Sequence, residues 1–223
     1  MTYREEFFQL LYTLPAVLIA LVFHEYAHGL ISVWMGDDTP RRQGRLSLNP
    51  FKHLDLTGVI CLAVFKFGWA RPVQVDPRAY RRPKLGMALT ALAGPMTNFL
   101  LAFLGYVVYA ALWKQGFFFA GGKPLVRLVY SFSMMFISVN LGLGVFNLIP
   151  IPPLDGSRIL GLVLPEKYYF GYMRYERYGL YVLMAIILIE NFTNIDILPL
   201  TAFKTMIGTW MLEIAAFLVG IPT

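Results

Sequence analysis

The chain has 223 residues, of which 57% are hydrophobic and only 14% charged, against roughly 25% charged in an ordinary soluble domain. Nineteen basic and thirteen acidic residues cannot cover a soluble protein of this size, and a mean hydropathy of +0.59 agrees, so the composition is that of a membrane protein. One cysteine, Cys61, excludes a disulfide framework, a multi-thiolate zinc site and an iron–sulfur cluster, which leaves His, Asp and Glu as candidate metal ligands.

Runs of about 18 or more apolar residues mark the segments able to cross the hydrocarbon as helices. The first, residues 7–35, carries no charge except Glu25. Glu5 and Glu6 cancel the basic start and no small-residue cleavage site precedes the histidines, so this run is expected to stay in place rather than act as a signal peptide. The second, 87–113, and the third, 128–154, carry no charge at all. Two shorter runs come later, about 175–191 and 198–219, the latter interrupted by Lys204 and Glu213. The expectation is an all-α polytopic membrane protein of about five or six transmembrane helices, forming one integral membrane domain over residues 1–223. The last run could also re-enter or lie on the surface.

Between the first two runs the segment 36–85 holds ten Lys/Arg against four acids, which accounts for the whole net charge of +6. Basic residues flanking spans face the cytoplasm, so this loop is expected there, with the N-terminus outside a multi-pass protein of the cell membrane. Within it, residues 60–67 are apolar and β-prone, and Gly68-Trp69-Ala70-Arg71-Pro72-Val73-Gln74-Val75 continues as extended chain. A short β-hairpin dipping toward the membrane is expected. Non-helical backbone at that depth must be covered by protein or line a cavity.

Inside the first run stands His24-Glu25-Tyr26-Ala27-His28. Ionisable groups at membrane depth cost several kcal/mol when isolated, so three of them in five residues require compensation. On a helix, positions i and i+4 share one face about 5–6 Å apart, which lets both imidazoles reach one ion. Glu25 projects about 100° further around the axis, toward a water rather than the metal. This is the HExxH arrangement of two metal ligands and a general base. A hydrogen-bonded polar cluster is the bland alternative, made improbable by the absence of any other charge in the run.

Catalytic zinc takes three protein ligands and keeps an open position, so a third ligand has to come from elsewhere. The third run ends in Asn147-Leu-Ile-Pro150-Ile-Pro152-Pro153-Leu154-Asp155-Gly156. Its prolines stop the helix, and the expectation is that Asp155 is presented on a rigid irregular segment. Asp155 could equally cap a helix starting at Ser157 or Arg158. His24, His28 and Asp155 all belong to the inner ends of their runs, a coincidence of depth that survives inversion of the topology and favours the ligand reading.

HExxH in the first run, Gly94-Pro95-Met-Thr-Asn98 in the second and Asn-x-x-Pro-x-Pro-Pro-Leu-Asp-Gly after the third together resemble the site-2 protease family of intramembrane zinc metalloproteases. The likeness extends to Leu48-Asn49-Pro50-Phe-Lys-His53-Leu-Asp55 and Gly68-Trp-Ala-Arg-Pro-Val, and so covers about residues 15–160. It implies His24, His28 and Asp155 as ligands of one zinc ion, Glu25 as catalytic base, and Asn147 close to the scissile carbonyl. It also implies single-span membrane protein substrates cut within or near their spans, in a lipid bilayer and without nucleic acid. PDZ or CBS domains carried by larger relatives have no room here.

The rival reading is a membrane carrier for divalent metal using the same His/Asp site, which leaves Glu25 unexplained and lacks the further intramembrane carboxylates of a pathway. A silent helix-binding member is a third reading, opposed by retention of all four site residues. Asn98 and Asn147 are expected first as interhelical hydrogen-bonding groups. Gly94-Pro95 is read as close packing or a kink, His53 as a loop hydrogen-bonder rather than a further metal neighbour, and Cys61 as an apolar filler. Glu213 has no partner that the sequence names.

Overall fold

The computed structural model describes residues 3–55, 71–120, 122–165, 167–168, 172, 176–193 and 197–221. Among these residues the regular structure is helical, with no β-strand. The main helices are α1 (Tyr3–Met35), α2 (Pro83–Lys114), α3 (Pro124–Asn147), α4 (Asp155–Val163), α5 (Glu176–Thr193) and α6 (Leu200–Val219).

Among the described residues, four segments are long and apolar enough to cross a membrane: Leu11–Met35 of α1, then α2, α3 and α6. Helix α5 has 18 residues and carries Glu176, Arg177 and Glu190, and it is not among the four. Of the expected hairpin over residues 60–75, residues 60–70 lie outside the described residues, and 71–75 form no strand. Residues 71–76 carry no regular secondary structure.

Proline placement sets several boundaries. Pro83 and Pro124 stand in the first turn of α2 and α3, where a missing N–H costs nothing. The third apolar run does not stay helical to residue 154. Helix α3 ends at Asn147, because Pro150, Pro152 and Pro153 can neither donate to nor fit within a helix interior. At the end of α1 the chain turns at Gly36 with φ +116, and a Cβ there would stand 3.0 Å from the Ala79 carbonyl oxygen, so glycine is required on both counts.

Helices α1, α2 and α3 pack against one another, α6 packs on α2 and α3, and α4 lies against α2. Ala102, Ile137 and Leu141 form the apolar core of this bundle, with Phe99, Tyr106 and Met211 around them. At the α2–α3 crossing, a Cβ on Gly144 would stand 2.6 Å from the Phe99 ring, so the absence of a side chain admits the close approach that helix association in lipid relies on. The outward face is apolar: Leu100, Val108, Trp210 and Phe217 are all exposed. The buried set holds His24, Glu25, Ser32, Asp37, Thr90, Asn98 and Asn140, which is the polar-in, apolar-out arrangement of a membrane bundle.

Candidate metal centre

His24 and His28 sit one turn apart on α1, their rings edge to face with centroids 4.5 Å apart, and their Nε2 atoms approach to 2.9 Å. Asp155 enters from α4, and its Oδ2 lies 3.3 Å from each of those nitrogens. Asp155 is the first residue of a helix whose N-cap is Leu154, not a residue of an irregular segment and not the cap itself. The turn that the three prolines impose brings this helix start back against α2, so that the carboxylate meets α1.

Tautomers are fixed by the partners of the outer nitrogens. His24 Nδ1 lies 2.7 Å from Asn98 Oδ1, and His28 Nδ1 lies 2.6 Å from the Thr90 carbonyl oxygen. A carbonyl oxygen only accepts, so His28 donates from Nδ1. For Asn98 the orientation is set by its neighbours: its Nδ2 donates to Ala20 O at 3.1 Å and to Asn140 Oδ1 at 3.0 Å. Asn140 is set in turn by Nδ2 donating to Phe136 O of its own helix at 2.8 Å. The Oδ1 of Asn98 therefore faces His24 as an acceptor, and His24 donates to it.

When neutral, both imidazoles turn an Nε2 lone pair toward the same point, where Asp155 adds a buried oxygen that has no hydrogen-bond partner. In that state three acceptors stand within 2.9–3.3 Å of one another and repel until a proton or a metal ion joins them. The nearest backbone offers room: a Cβ on Gly94 would collide with His28 Nε2 and stand 2.7 Å from His24 Nε2, so only glycine leaves space beside the ligand atoms. Two imidazole nitrogens and a carboxylate oxygen form the donor set of a three-ligand catalytic zinc site, and the residues present fit that ion.

Glu25, 9% exposed, stands beside the triad and outside it, and its Oε2 accepts the Val73 amide hydrogen bond at 2.9 Å. The chain at Val73 thereby covers the Glu25 carboxylate. A polar chain also reaches away from His28: the Thr90 hydroxyl lies 3.2 Å from Tyr80 OH, which lies 3.0 Å from Ser32 Oγ, which donates to Asp37 at 3.0 Å.

Asn147 is at the last turn of α3, where its amide donates to Leu143 O of its own helix at 3.0 Å, and no described contact joins it to the triad. Asn98 does bond between helices, as expected of it. His53 is 1% exposed and its Nε2 donates to Ser47 O at 2.6 Å, a loop hydrogen bond away from the triad. Glu213 is exposed on α6, and Cys61 lies outside the described residues.

Four contributors escaped sequence reasoning: the Thr90 carbonyl, the Val73 amide, Asn140, and Gly94 as a source of room at the histidines. Backbone groups carry no residue signal. Gly94 and Asn98 stand four apart, one helical face, and that spacing is the signal by which they could have been joined to the site.

Comparison with known proteins agrees with this geometry. The sequence pattern of Peptidase family M50 matches residues 122–190, the part that carries Asn147 and Asp155. The chain is 37% identical over 179 residues to "Putative zinc metalloprotease YwhC" of Bacillus subtilis (strain 168), covering 78% of this chain and 79% of that protein. It is 38% identical over 93 residues to "Zinc metalloprotease MJ0392" of Methanocaldococcus jannaschii, covering 41% of this chain and 23% of that protein. No solved structure matches. On the strength of the Bacillus relative, alike over more than three quarters of both chains, the chain belongs to peptidase family M50, the site-2 protease family of membrane zinc metalloproteases.

Proposed function

We propose that this metalloprotease is an intramembrane endopeptidase, hydrolysing peptide bonds within or near the spans of single-span membrane proteins. His24, His28 and Asp155 hold one zinc ion per chain, Glu25 is the general base, and the whole of 1–223 is one integral membrane domain of five or six spans. The observation that carries this reading is the convergence of two imidazole lone pairs and an unpartnered carboxylate oxygen beside Glu25 on a helix able to cross a membrane.

Zinc, when bound, supplies a Lewis acid for the scissile carbonyl and lowers the pKa of water toward about 7. Glu25 takes the proton of the attacking water and returns it to the leaving amine. The Val73 N–H fixes Oε2 of that carboxylate, so Oε1 is the atom that carries the proton. Asn147 spends one amide N–H on Leu143 O, and the other is the one to meet the substrate carbonyl. A helical substrate hides its carbonyls in its own hydrogen bonds and has to unwind locally. The segment 71–76 is the element against which an unwound strand would lie.

In the membrane, the basic loop 36–85 faces the cytoplasm and the N-terminus lies outside. His24 is eleven residues from Met35, roughly 16 Å along the helix from its cytoplasmic end. Cleavage is accordingly placed in the cytoplasmic half of the substrate span, near helix-weakening Gly, Asn or Pro.

The test is Glu25→Gln, which keeps size and removes the base. The variant is expected to retain zinc and to lose cleavage by about 10²–10⁴-fold, measured on single-span substrates with mass spectrometry of the products. Cleavage at the wild-type rate would remove Glu25 from the reaction. Cuts confined to extramembrane loops would overturn the placement of the site.

A further inference from the structure

Beside the base lies a second feature that hydrolysis itself does not use. A cavity of about 600 Å³ is lined by Gln43, Arg45, Phe51, Lys52, Arg71 and Gln74. The lining has three cations and no carboxylate. Two of its walls meet where Gln43 Nε2 donates to Gln74 Oε1 at 3.0 Å, and Arg71 is pinned by its backbone N–H to His53 O at 2.8 Å. Arg45 is 7% exposed, and its Nη1 donates to the Lys52 carbonyl. Burial, then the charge of Arg71, push its pKa down, and the charge of Glu25 pushes it back up.

Three of the four acids of this loop are engaged elsewhere. Asp37 is held by Ser32, Thr39 and Asp76, Asp38 pairs with Arg41 at 3.1 Å, and Asp76 accepts from Arg78 N. Like charges gathered on one cavity without an acid in its wall favour an anion there. The cavity also continues the catalytic centre. Arg71 and Gln74 flank Val73, whose amide holds Glu25, and Arg45 is close enough to feel the charge of Glu25. A strand lying along 71–76 with its scissile bond at Glu25 reaches Arg71 and Gln74 within two or so residues, since extended chain advances about 3.3 Å per residue.

We propose that this cavity is a subsite for an acidic side chain of the substrate, close in sequence to the bond that is cut. This rests on the reading of the neighbouring centre as a peptidase site. Lys52 and Arg71, both exposed, supply adjustable charge, and buried Arg45 supplies a fixed fork for the carboxylate.

The experiment uses full-length protein loaded with zinc in neutral phosphatidylcholine nanodiscs, with unfolded casein as substrate and mass spectrometry of every cut. Wild type is compared with Glu25→Gln and with Lys52→Glu/Arg71→Glu, whose changes are on the surface. Wild type is expected to favour Asp or Glu at one position beside the cut by about tenfold, the size of a charge-assisted hydrogen bond. The doubly reversed variant is expected to shift that preference to Lys or Arg. The same charge pattern in both proteins overturns the subsite and leaves the peptidase reading standing. A preference that vanishes when part of the lipid is replaced by phosphatidylglycerol assigns the cavity to a lipid headgroup and overturns the proposal. No cutting that Glu25→Gln abolishes overturns the peptidase reading, and the subsite with it.

Discussion

Asp37 and Asp155 are buried carboxylates at two ends of one polar chain, and they are treated in opposite ways. Asp37, 0% exposed, accepts from Ser32 Oγ at 3.0 Å and from the backbone N–H groups of Thr39 and Asp76 at 2.8 Å each. Those donors tie the end of α1 to the loop before α2, and they saturate the anion. Asp155 has a buried oxygen with no hydrogen-bond partner, 3.3 Å from the Nε2 atoms of His24 and His28. A saturated buried carboxylate is a structural clamp. One left without donors against other acceptors is a cation site, because nothing else stabilises its charge there.

The same substitution at both positions is the sharpest way to break this contrast. Asp155→Asn removes one of three ligands, so zinc affinity is expected to fall by more than the roughly 10–100-fold that a lost orienting group costs, and cleavage to vanish, with helical content unchanged. Zinc retained at wild-type affinity would make Asp155 a second clamp. Next in size is Gly94→Ala. Alanine is favoured in a helix interior by about 1 kcal/mol, which offsets part of the overpacking as its Cβ meets both histidine rings. Zinc affinity should drop, and a chelator titration beside a melting curve without metal separates that loss from any loss of stability.

A smaller effect is expected of Asn98→Leu, similar in volume and without a hydrogen bond for His24. Losing the group that fixes a ligand tautomer is expected to weaken zinc binding by about 10–100-fold, measured by competition with a chelator. Unchanged affinity in the folded variant would confine Asn98 to helix packing. The smallest effect on chemistry belongs to Asp37→Asn: cleavage per zinc-loaded molecule is retained, and stability falls by about 1–3 kcal/mol as the donors lose their anion. Its pH dependence is a further check. Burial alone would raise the pKa of Asp37, and the hydrogen bonds from Thr39, Asp76 and Ser32 outweigh it and hold the value below the ordinary 3.8. A depressed pKa contributes stability above 3.8 that is lost as the pH falls through the lower folded value. The wild-type melting temperature should therefore decline over that acid range, and the Asp37→Asn curve should be flatter.

How much of this was legible before folding depends on the range of the interaction. His24, Glu25 and His28 were readable because four residues make one helical turn, and helix geometry by itself puts the two imidazoles on one face. The bundle helices were readable as apolar runs, and their limits shifted where proline intervened, as at Asn147. Asn140 was not readable, since a lone asparagine in an apolar helix looks alike whether it bonds its own helix or a neighbour. Here it does both, and both bear on His24: the bond to Phe136 O turns Asn140 Oδ1 toward Asn98.

Composition and local spacing thus determined that this chain lies in a membrane, that one of its helices carries two histidines one turn apart with a glutamate between them, and that its basic charge is concentrated in one loop. The tertiary structure decided the rest: that Asp155 opens a helix and meets those histidines, that both Nε2 lone pairs face it, that Gly94 leaves room there, and that the amide of Val73 holds the base. The physical reason is the same in each case. Periodicity and charge are properties of neighbouring residues, whereas orientation of a lone pair and closure of a site are set by groups that only packing of α1, α2, α3 and α4 brings within hydrogen-bonding distance.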